Sequence, residues 1–469
     1  MSSEDREGRR TIWSEVREAL AGHEHDYTKA PLRRAIFLLA VPMVLEMCME
    51  SLFGIVDIFW VARLGGDATA AVGVTESIMT IVYSVALGIS MSATAMIARR
   101  IGEKDQPGAS RAAAQTILLG ILLSLVIAIP CALLAEELLQ AMGATPAVVA
   151  SGRAYARIMF AGSVSVMLLF LMNAVFRGAG NAAIAMRVLW FGNGINMLLD
   201  PLLIYGWGPF PQLGVEGAAW ATLVGRSAGV AYQCWHLTRG SGAIRLRVSH
   251  LAPDWKILRT LLRLSATGML QFLIAHASWI ALVRIIAFSG SAALAGYTIA
   301  IRIVIFSLLP SWGLSNAAAT LVGQNLGARR PDRAEQSVWR TGFYNMVFLG
   351  LVSVVFLLAP GPLVRLFTAE ADVIRYGVAC LRIVAAGYIA YGYGMVLVQA
   401  FNGAGDTVTP TFINLGCYWC FQIPLAWLLA REWEWGANGV FWAVPAAEAT
   451  LAVVGILLFR RGRWKNREV

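Results

Sequence analysis

Three carboxylates stand inside one long apolar run. The stretch from Pro42 to Gly66 reads PMVLEMCMESLFGIVDIFWVARLGG and sets Glu46, Glu50 and Asp57 among Met, Leu, Phe, Ile and Val. At 100° per residue the three fall within about 40° of one another, so a helix places them on one stripe. A carboxylate at mid-bilayer costs roughly 2.5–3.5 kcal/mol on insertion scales, which turns such a stripe inward, to a wet cavity or to basic partners. Internal arginines such as Arg226, Arg284 and Arg302 could pair with the two glutamates, whereas Asp57 is the stronger candidate for a working group. A second polar stripe follows. Asn193, Asn196 and Asp200 are spaced i, i+3, i+7 and face one way from a helix. Pro201, directly after the acid, lacks an N–H and frees a carbonyl at that depth.

Elements long enough to hold these groups in a membrane are plentiful. The chain is 58% hydrophobic and 14% charged, against about 25% charged in a soluble domain, and its 45 glycines suit close helix packing in lipid. Apolar runs bounded by Gly, Pro and charge clusters give twelve spans, with cores near 35–61, 69–97, 112–134, 155–176, 183–206, 215–237, 259–288, 292–321, 338–359, 378–400, 408–430 and 438–459. The expected organisation is an N-terminal arm (1–30), an N-lobe (31–238), a linker (239–258), a C-lobe (259–460) and a tail (461–469). A short amphipathic helix around Trp13 to Leu20 is expected within the arm. Twelve spans put both ends on one side. That side holds 28 of the 38 Lys and Arg; the other holds Arg63, Arg153, Arg157, Arg365, Arg375, Arg382 and Arg431. This four-to-one bias places both termini in the cytoplasm and attributes the net charge of +10 to membrane topology rather than to a nucleic-acid partner.

The spans repeat. Phe176-Arg-Gly-Ala-Gly-Asn181 recurs as Phe401-Asn-Gly-Ala-Gly-Asp406, and Ile97-Ala-Arg-Arg-Ile-Gly102 as Val322-Gly-Gln-Asn-Leu-Gly327, both 225 residues on. Gly214-Val-Glu-Gly-Ala-Ala-Trp220 recurs as Gly436-Ala-Asn-Gly-Val-Phe-Trp442, 222 residues on. Six spans repeated after six gives two bundles of the same orientation, related by a pseudo-two-fold along the membrane normal, with a cleft between them. No GxxxxGK[ST] phosphate loop occurs, so the chain carries no nucleotide motor of its own. An all-α polytopic protein of this kind, with inward acids, reads as a secondary transporter.

The chain resembles the multidrug and toxic compound extrusion (MATE) family from about Pro31 to Phe459. The carriers are Ala40-Val-Pro42, Val56-Asp57 with Arg63-Leu-Gly65, Phe176-Arg-Gly-Ala-Gly180, Asn196-Met-Leu-Leu-Asp200-Pro201, Gly217-Ala-Ala-Trp-Ala-Thr222 and Leu321-Val-Gly-Gln-Asn-Leu-Gly327. The resemblance implies a V-shaped pair of six-helix lobes and export of varied, often cationic amphiphiles, drugs or toxic metabolites, driven by inward Na⁺ or H⁺ without a cofactor. It further implies a monomer among lipids of the inner (plasma) membrane. Its DNA-damage-inducible-type branch implies a cation site in the N-lobe at Asp57, Asn196, Asp200 and Thr222, with Asn173 lining the same cavity and Pro42 bending its helix. Carboxylate, amide and hydroxyl oxygens are hard donors suited to Na⁺, and two neighbouring carboxylates in a low dielectric share a proton, so one set suits either ion.

Another branch places acids in spans 7 and 10. Here those spans offer Gln271, His276, Tyr388, Tyr391 and Tyr393 and no acid, which favours coupling in the N-lobe. Gln271, His276 and Tyr391 are therefore expected to line the substrate cavity, with Glu50 facing the cleft and favouring cationic substrates; Glu76 and Glu448 could serve similarly or act as helix-packing partners of Arg302 or Arg226. A lipid-linked saccharide flippase is the alternative within transport, and it calls for a basic cleft. A membrane-embedded enzyme would need clustered catalytic groups, whereas the five histidines are scattered.

Overall fold

The computed structural model describes residues 12–22, 25–239 and 242–467; the remainder of the expected arm, linker and tail lies outside the described residues. Helix α1 (Ile12–Ala21) is the amphipathic segment of the arm. The N-lobe comprises α2 (Leu32–Ala62), α3 (Gly66–Gly102), α4 (Gln106–Leu133), short α5 (Ala135–Ala141), α6 (Pro146–Gly178), α7 (Ala182–Tyr205) and α8 (Val215–Arg239). The C-lobe comprises α9 (Trp255–Ala287), α10 (Ser291–Gly327), α11 (Pro331–Leu358), short α12 (Pro360–Arg365), α13 (Ala371–Ala385), α14 (Tyr388–Gly403), α15 (Val408–Glu432) and α16 (Ala437–Arg460). Ten of these helices are long and apolar enough to cross a membrane, and α13 with α14 forms an eleventh, broken span. Helix α8, the twelfth, is the most polar because Arg226 and Gln233 are buried in its N-lobe face.

The break in span 10 departs from the continuous helix expected over 378–400. The chain bends by 60° between α13 and α14. At the bend Gly387 lies against Pro445 of α16, so close that a Cβ would sit 2.6 Å from the proline Cβ. Helix α15 is also irregular: Leu415–Gln422 and Leu428–Glu432 are wound as π-helix, which re-aims Tyr418 and Gln422 toward neighbouring helices. The pair Cys417 and Cys420 in this stretch is split, one thiol buried and the other exposed.

Repeated sequence becomes paired structure. Gly180 and Gly405, in the repeated turns, both hold positive φ (89° and 83°), where a side chain would be strained. Gly102 and Gly327, equivalent across the repeat, meet each other's helices. A Cβ on Gly102 would lie 2.0 Å from the Gln324 carbonyl oxygen, and one on Gly327 would lie 2.1 Å from that of Arg99. The ends of α3 and α10 therefore cross backbone to backbone.

Further in, Gly88 of α3 faces Gly268 and Met269 of α9, and Gly313 of α10 faces the Met43 carbonyl of α2. Ser92 and Ser265 share a hydrogen bond of 3.0 Å, Thr320 donates to the Arg177 carbonyl and Gln324 to that of Gly178. Among the described residues, every hydrogen bond between the lobes lies in the half of the molecule that carries the two chain ends. The lobes are sealed on that face and the cleft opens to the other. Gly102→Val is expected to overpack this crossing, lowering stability by about 1–3 kcal/mol, read as an earlier thermal unfolding transition in detergent.

Candidate functional site

The acidic stripe of α2 faces the interior of the N-lobe, and each acid meets a different environment. Glu46 is buried; Arg177 of α6 donates to its Oε1 at 2.7 Å and Asn173 at 3.1 Å. Asn173 in turn accepts from Gln233 at 2.6 Å, so its amide is committed to this network and does not line the cation cavity. One turn on, Glu50 takes two bonds from Arg226, at 2.8 and 3.5 Å, and one from Asn193 at 3.0 Å. Phe53 covers the same guanidinium at 4.9 Å. The expectation that Glu50 offers a free charge to cationic substrates gives way to an ion pair, since Arg226 would otherwise be an unanswered cation at that depth.

Asp57 and Asp200 have no such partner. Asp57 is half-buried, makes no hydrogen bond or ion pair among the described residues, and lies within electrostatic reach of Asp200, Glu76 and Arg226. Asp200 is 0% exposed, and both its carboxylate oxygens lack a hydrogen-bond partner. Asn196, one helical turn away and also buried, donates to the Thr222 hydroxyl at 3.0 Å, while its own Oδ1 is left unpartnered. The glycines of α7 and α8 let these groups meet: Gly192 and Gly225 approach each other's carbonyl oxygens closely enough to exclude a Cβ. The arrangement presents oxygen acceptors with no donor to answer them, which is the chemistry of a cation or proton site. The metal-type clusters of three or more His, Cys, Asp or Glu are absent among the described residues. Helix α2 runs unbroken through the buried Pro42, close to where Gly313 of α10 abuts Met43.

In the C-lobe, Gln271 and Tyr391 come together in a cavity of about 140 Å³ with Ala275, Trp312, Asn414, Tyr418 and Glu448. Tyr418 donates to the buried Glu448 carboxylate at 3.1 Å, and the side-chain oxygens of Gln271 and Asn414 have no partner. Phe272 and Trp312 stack alongside, with ring centroids 5.6 Å apart. His276 is not part of this set. Five residues beyond Gln271 it points about 140° away round α9, is exposed, and its Nδ1 contacts the Phe272 carbonyl of its own helix. Between the lobes, Ser90, Thr94, Arg177, Asn316 and Asn402 line the base of the cleft.

A family profile described as MatE matches residues 42–202 and again 267–428, once for each half of the chain. The chain belongs to the MATE family. It is similar to the probable multidrug resistance protein NorM of Thermotoga maritima, 24% identical over 439 residues that cover 93% of this chain and 94% of that protein. The FAD transporter of Shewanella oneidensis is 25% identical over 440 residues, covering 93% and 96%. A solved multidrug-resistance MATE transporter in an outward-facing conformation superposes with a TM-score of 0.88 at 26% identity, covering 94% of this chain and 98% of the other. The protein is thus a multi-pass membrane transporter rather than an enzyme.

The MATE repeat also explains why the lobes differ chemically. At the recurring offsets of 225 and 222, Glu50 corresponds to Ala275, Asn193 to Tyr418, and Arg226 to Glu448. The N-lobe position holds a cation neutralised by Glu50. Its C-lobe counterpart is a buried glutamate side chain, and the place of the countercharge is a methyl group on the cavity wall. Arg177 escaped the sequence reading, although Asn173 and Arg177 at i, i+4 mark a polar face of α6 that could have met Glu46. Removing one member of this buried pair costs about 3–5 kcal/mol, so Arg177→Met should unfold at markedly lower temperature. The double variant Glu46→Gln with Arg177→Met should recover most of that loss in the same thermal assay.

Proposed function

We propose that the protein is a secondary active exporter that couples outward movement of amphiphilic, often cationic, compounds to inward flow of Na⁺ or H⁺ by alternating access. The observation that carries this reading is the set of unanswered acceptors at Asp200 and Asn196 beside Asp57. A buried carboxylate with no donor is costly to keep ionised, so a bound cation or proton stabilises the site strongly. Binding removes the mutual repulsion of Asp57 and Asp200 and allows α2 and α7 to pack more tightly. That change in α2 reaches the lobe interface near Pro42 and weakens the hold of the open cleft on its substrate. With both termini in the cytoplasm of a plasma membrane, the cleft opens outward, and a cation entering from outside meets this site first.

The substrate reading places the amphiphile in the cleft against Phe272 and Trp312, with its charged group toward Glu448. A methyl group at Ala275 leaves room there, and Gln271, Asn414 and Tyr391 supply polar contacts. A second reading, export of an anionic nucleotide-like compound, draws on the FAD transporter among the relatives and on a chamber of about 1270 Å³ at the sealed face, where Arg100, Arg111, Lys256, Arg259, Arg263 and Arg467 outnumber Asp105, Asp254 and Asp406.

Dye efflux from proteoliposomes, driven by a pure Na⁺ gradient and then by a pure pH gradient, tests the coupling. Efflux is expected with one gradient and is expected to vanish in Asp57→Asn and Asp200→Asn, which fold normally. Unchanged efflux in Asp57→Asn removes that residue from coupling. Glu448→Gln is expected to weaken uptake of a cationic dye by about tenfold, the worth of roughly 1.4 kcal/mol, and to leave a neutral dye unaffected. Competition by FAD but not by organic cations would favour the second reading.

A further inference from the structure

Each lobe begins on an anchor supplied by the other lobe. The segment before α9 crosses the N-lobe, where Gln115 of α4, fully buried, uses its whole amide on it. Its Nε2 donates to the carbonyls of His250 and Ala252, both at 2.8 Å, and its Oε1 accepts from the Asp254 N–H at 3.0 Å. These groups flank Pro253, and Asp254 is the residue that caps α9 by accepting from Lys256 and Ile257. Ser110 of α4 holds the same segment further back, at Arg245.

The arrangement is mirrored before α2. There Arg333 of α11, in the C-lobe, donates to the carbonyls of Tyr27 (3.0 Å) and Ala30, and Arg330 donates to that of Thr28 at 2.8 Å. Ala30-Pro31 before α2 matches Ala252-Pro253 before α9, 222 residues apart. In both cases the carbonyl preceding the proline is clasped by a side chain from the second helix pair of the opposite lobe.

We propose that Gln115 and Arg333 are the two pivot residues of the transport cycle, contacts that stay made while the rest of the sealed face parts. This rests on the alternating-access reading. The reason lies in what each contact would leave behind. Separating the glycine crossings uncovers backbone, the Ser92–Ser265 pair and the single hydrogen bonds of Thr320 and Gln324, fewer at any one side chain than Gln115 makes. Undoing Gln115 breaks three hydrogen bonds at once and strands the amide of a side chain that is itself fully buried. A rotation of one lobe on the other therefore breaks the glycine crossings first and turns about the two proline junctions.

Spin-label distance measurements test this, in a background where the six native cysteines are replaced. One pair, Arg111→Cys with Lys256→Cys, spans the Gln115 pivot; a reference pair, Thr69→Cys with Ser291→Cys, spans the lobes on the open face. Samples in lipid are compared with and without Na⁺, at two pH values, and with a transported dye. The reference distance is expected to shift while the pivot distance holds. In Gln115→Met the pivot distribution is expected to broaden and transport to slow by about tenfold with the dye KM within about twofold. Should that variant fail to fold, Gln115→Glu keeps the acceptor for Asp254 and loses both donors. A pivot distance that moves with the reference distance overturns the proposal, as does a Gln115 variant with unaltered distribution and rate. A reference distance fixed under every condition sinks the alternating-access reading instead, and the pivots with it.

Discussion

A charge surrounded by apolar helices has to be answered within a few ångströms, and the interior of this transporter is organised by that demand. Water is not available to solvate it, so the partner must come from another helix, and the partner then dictates how the helices sit. Glu46 ties α2 to α6 through Arg177 and Asn173; Glu50 ties α2 to α7 and α8 through Asn193 and Arg226. These pairs are not a large source of net stability, because desolvation of both charges offsets most of their attraction. They fix register. Once they are made, Asp57 has only Asp200 and Glu76 for charged company on the open side, together with the far side of Arg226. The proposed coupling site is what remains when these other charges have been matched.

Close helix crossings have the opposite character. Where α3 meets α9 and α10, and where α2 meets α10, the contacts are made by Gly88, Gly102, Gly268, Gly313 and Gly327 against backbone. Such surfaces bring backbone against backbone, joined by the side-chain hydrogen bonds of Thr320, Gln324 and the Ser92–Ser265 pair. The molecule thus combines an N-lobe tied together by buried ion pairs with an interface between lobes made largely of small residues. The broken span at Ala386 and Gly387 and the π-helical turns of α15 are confined to the C-lobe and shape its cavity around Glu448.

The duplicated halves share backbone and differ in charge. Equivalent glycines do equivalent work in each, because the crossing geometry is the same. Equivalent polar positions have diverged: the arginine that Glu50 neutralises in one lobe is replaced in the other by a glutamate facing a methyl group. A pseudo-symmetric frame with asymmetric electrostatics gives one lobe a closed ion-pair network with an acidic site at its edge. The other receives an acceptor-lined pocket flanked by stacked aromatics.

Hydrophobic period, charge bias and internal repeat were enough to establish twelve spans, two like-oriented bundles and an inward acidic stripe, since each follows from partitioning between water and lipid, which acts residue by residue. The grouping of Asn193, Asn196 and Asp200 on one face was equally legible, being a matter of helical angle alone. Which acid is paired and which is free was not. Glu46, Glu50 and Asp57 are alike in type and face, and only the positions of Arg177 and Arg226, more than a hundred residues away, distinguish them. The break in span 10, the isolation of His276 from Gln271, and the hold of Gln115 on the start of α9 likewise depend on which helices touch. Local sequence determines the surface each helix presents; the choice of partner for that surface is made by packing between distant segments, and there the tertiary structure alone decides.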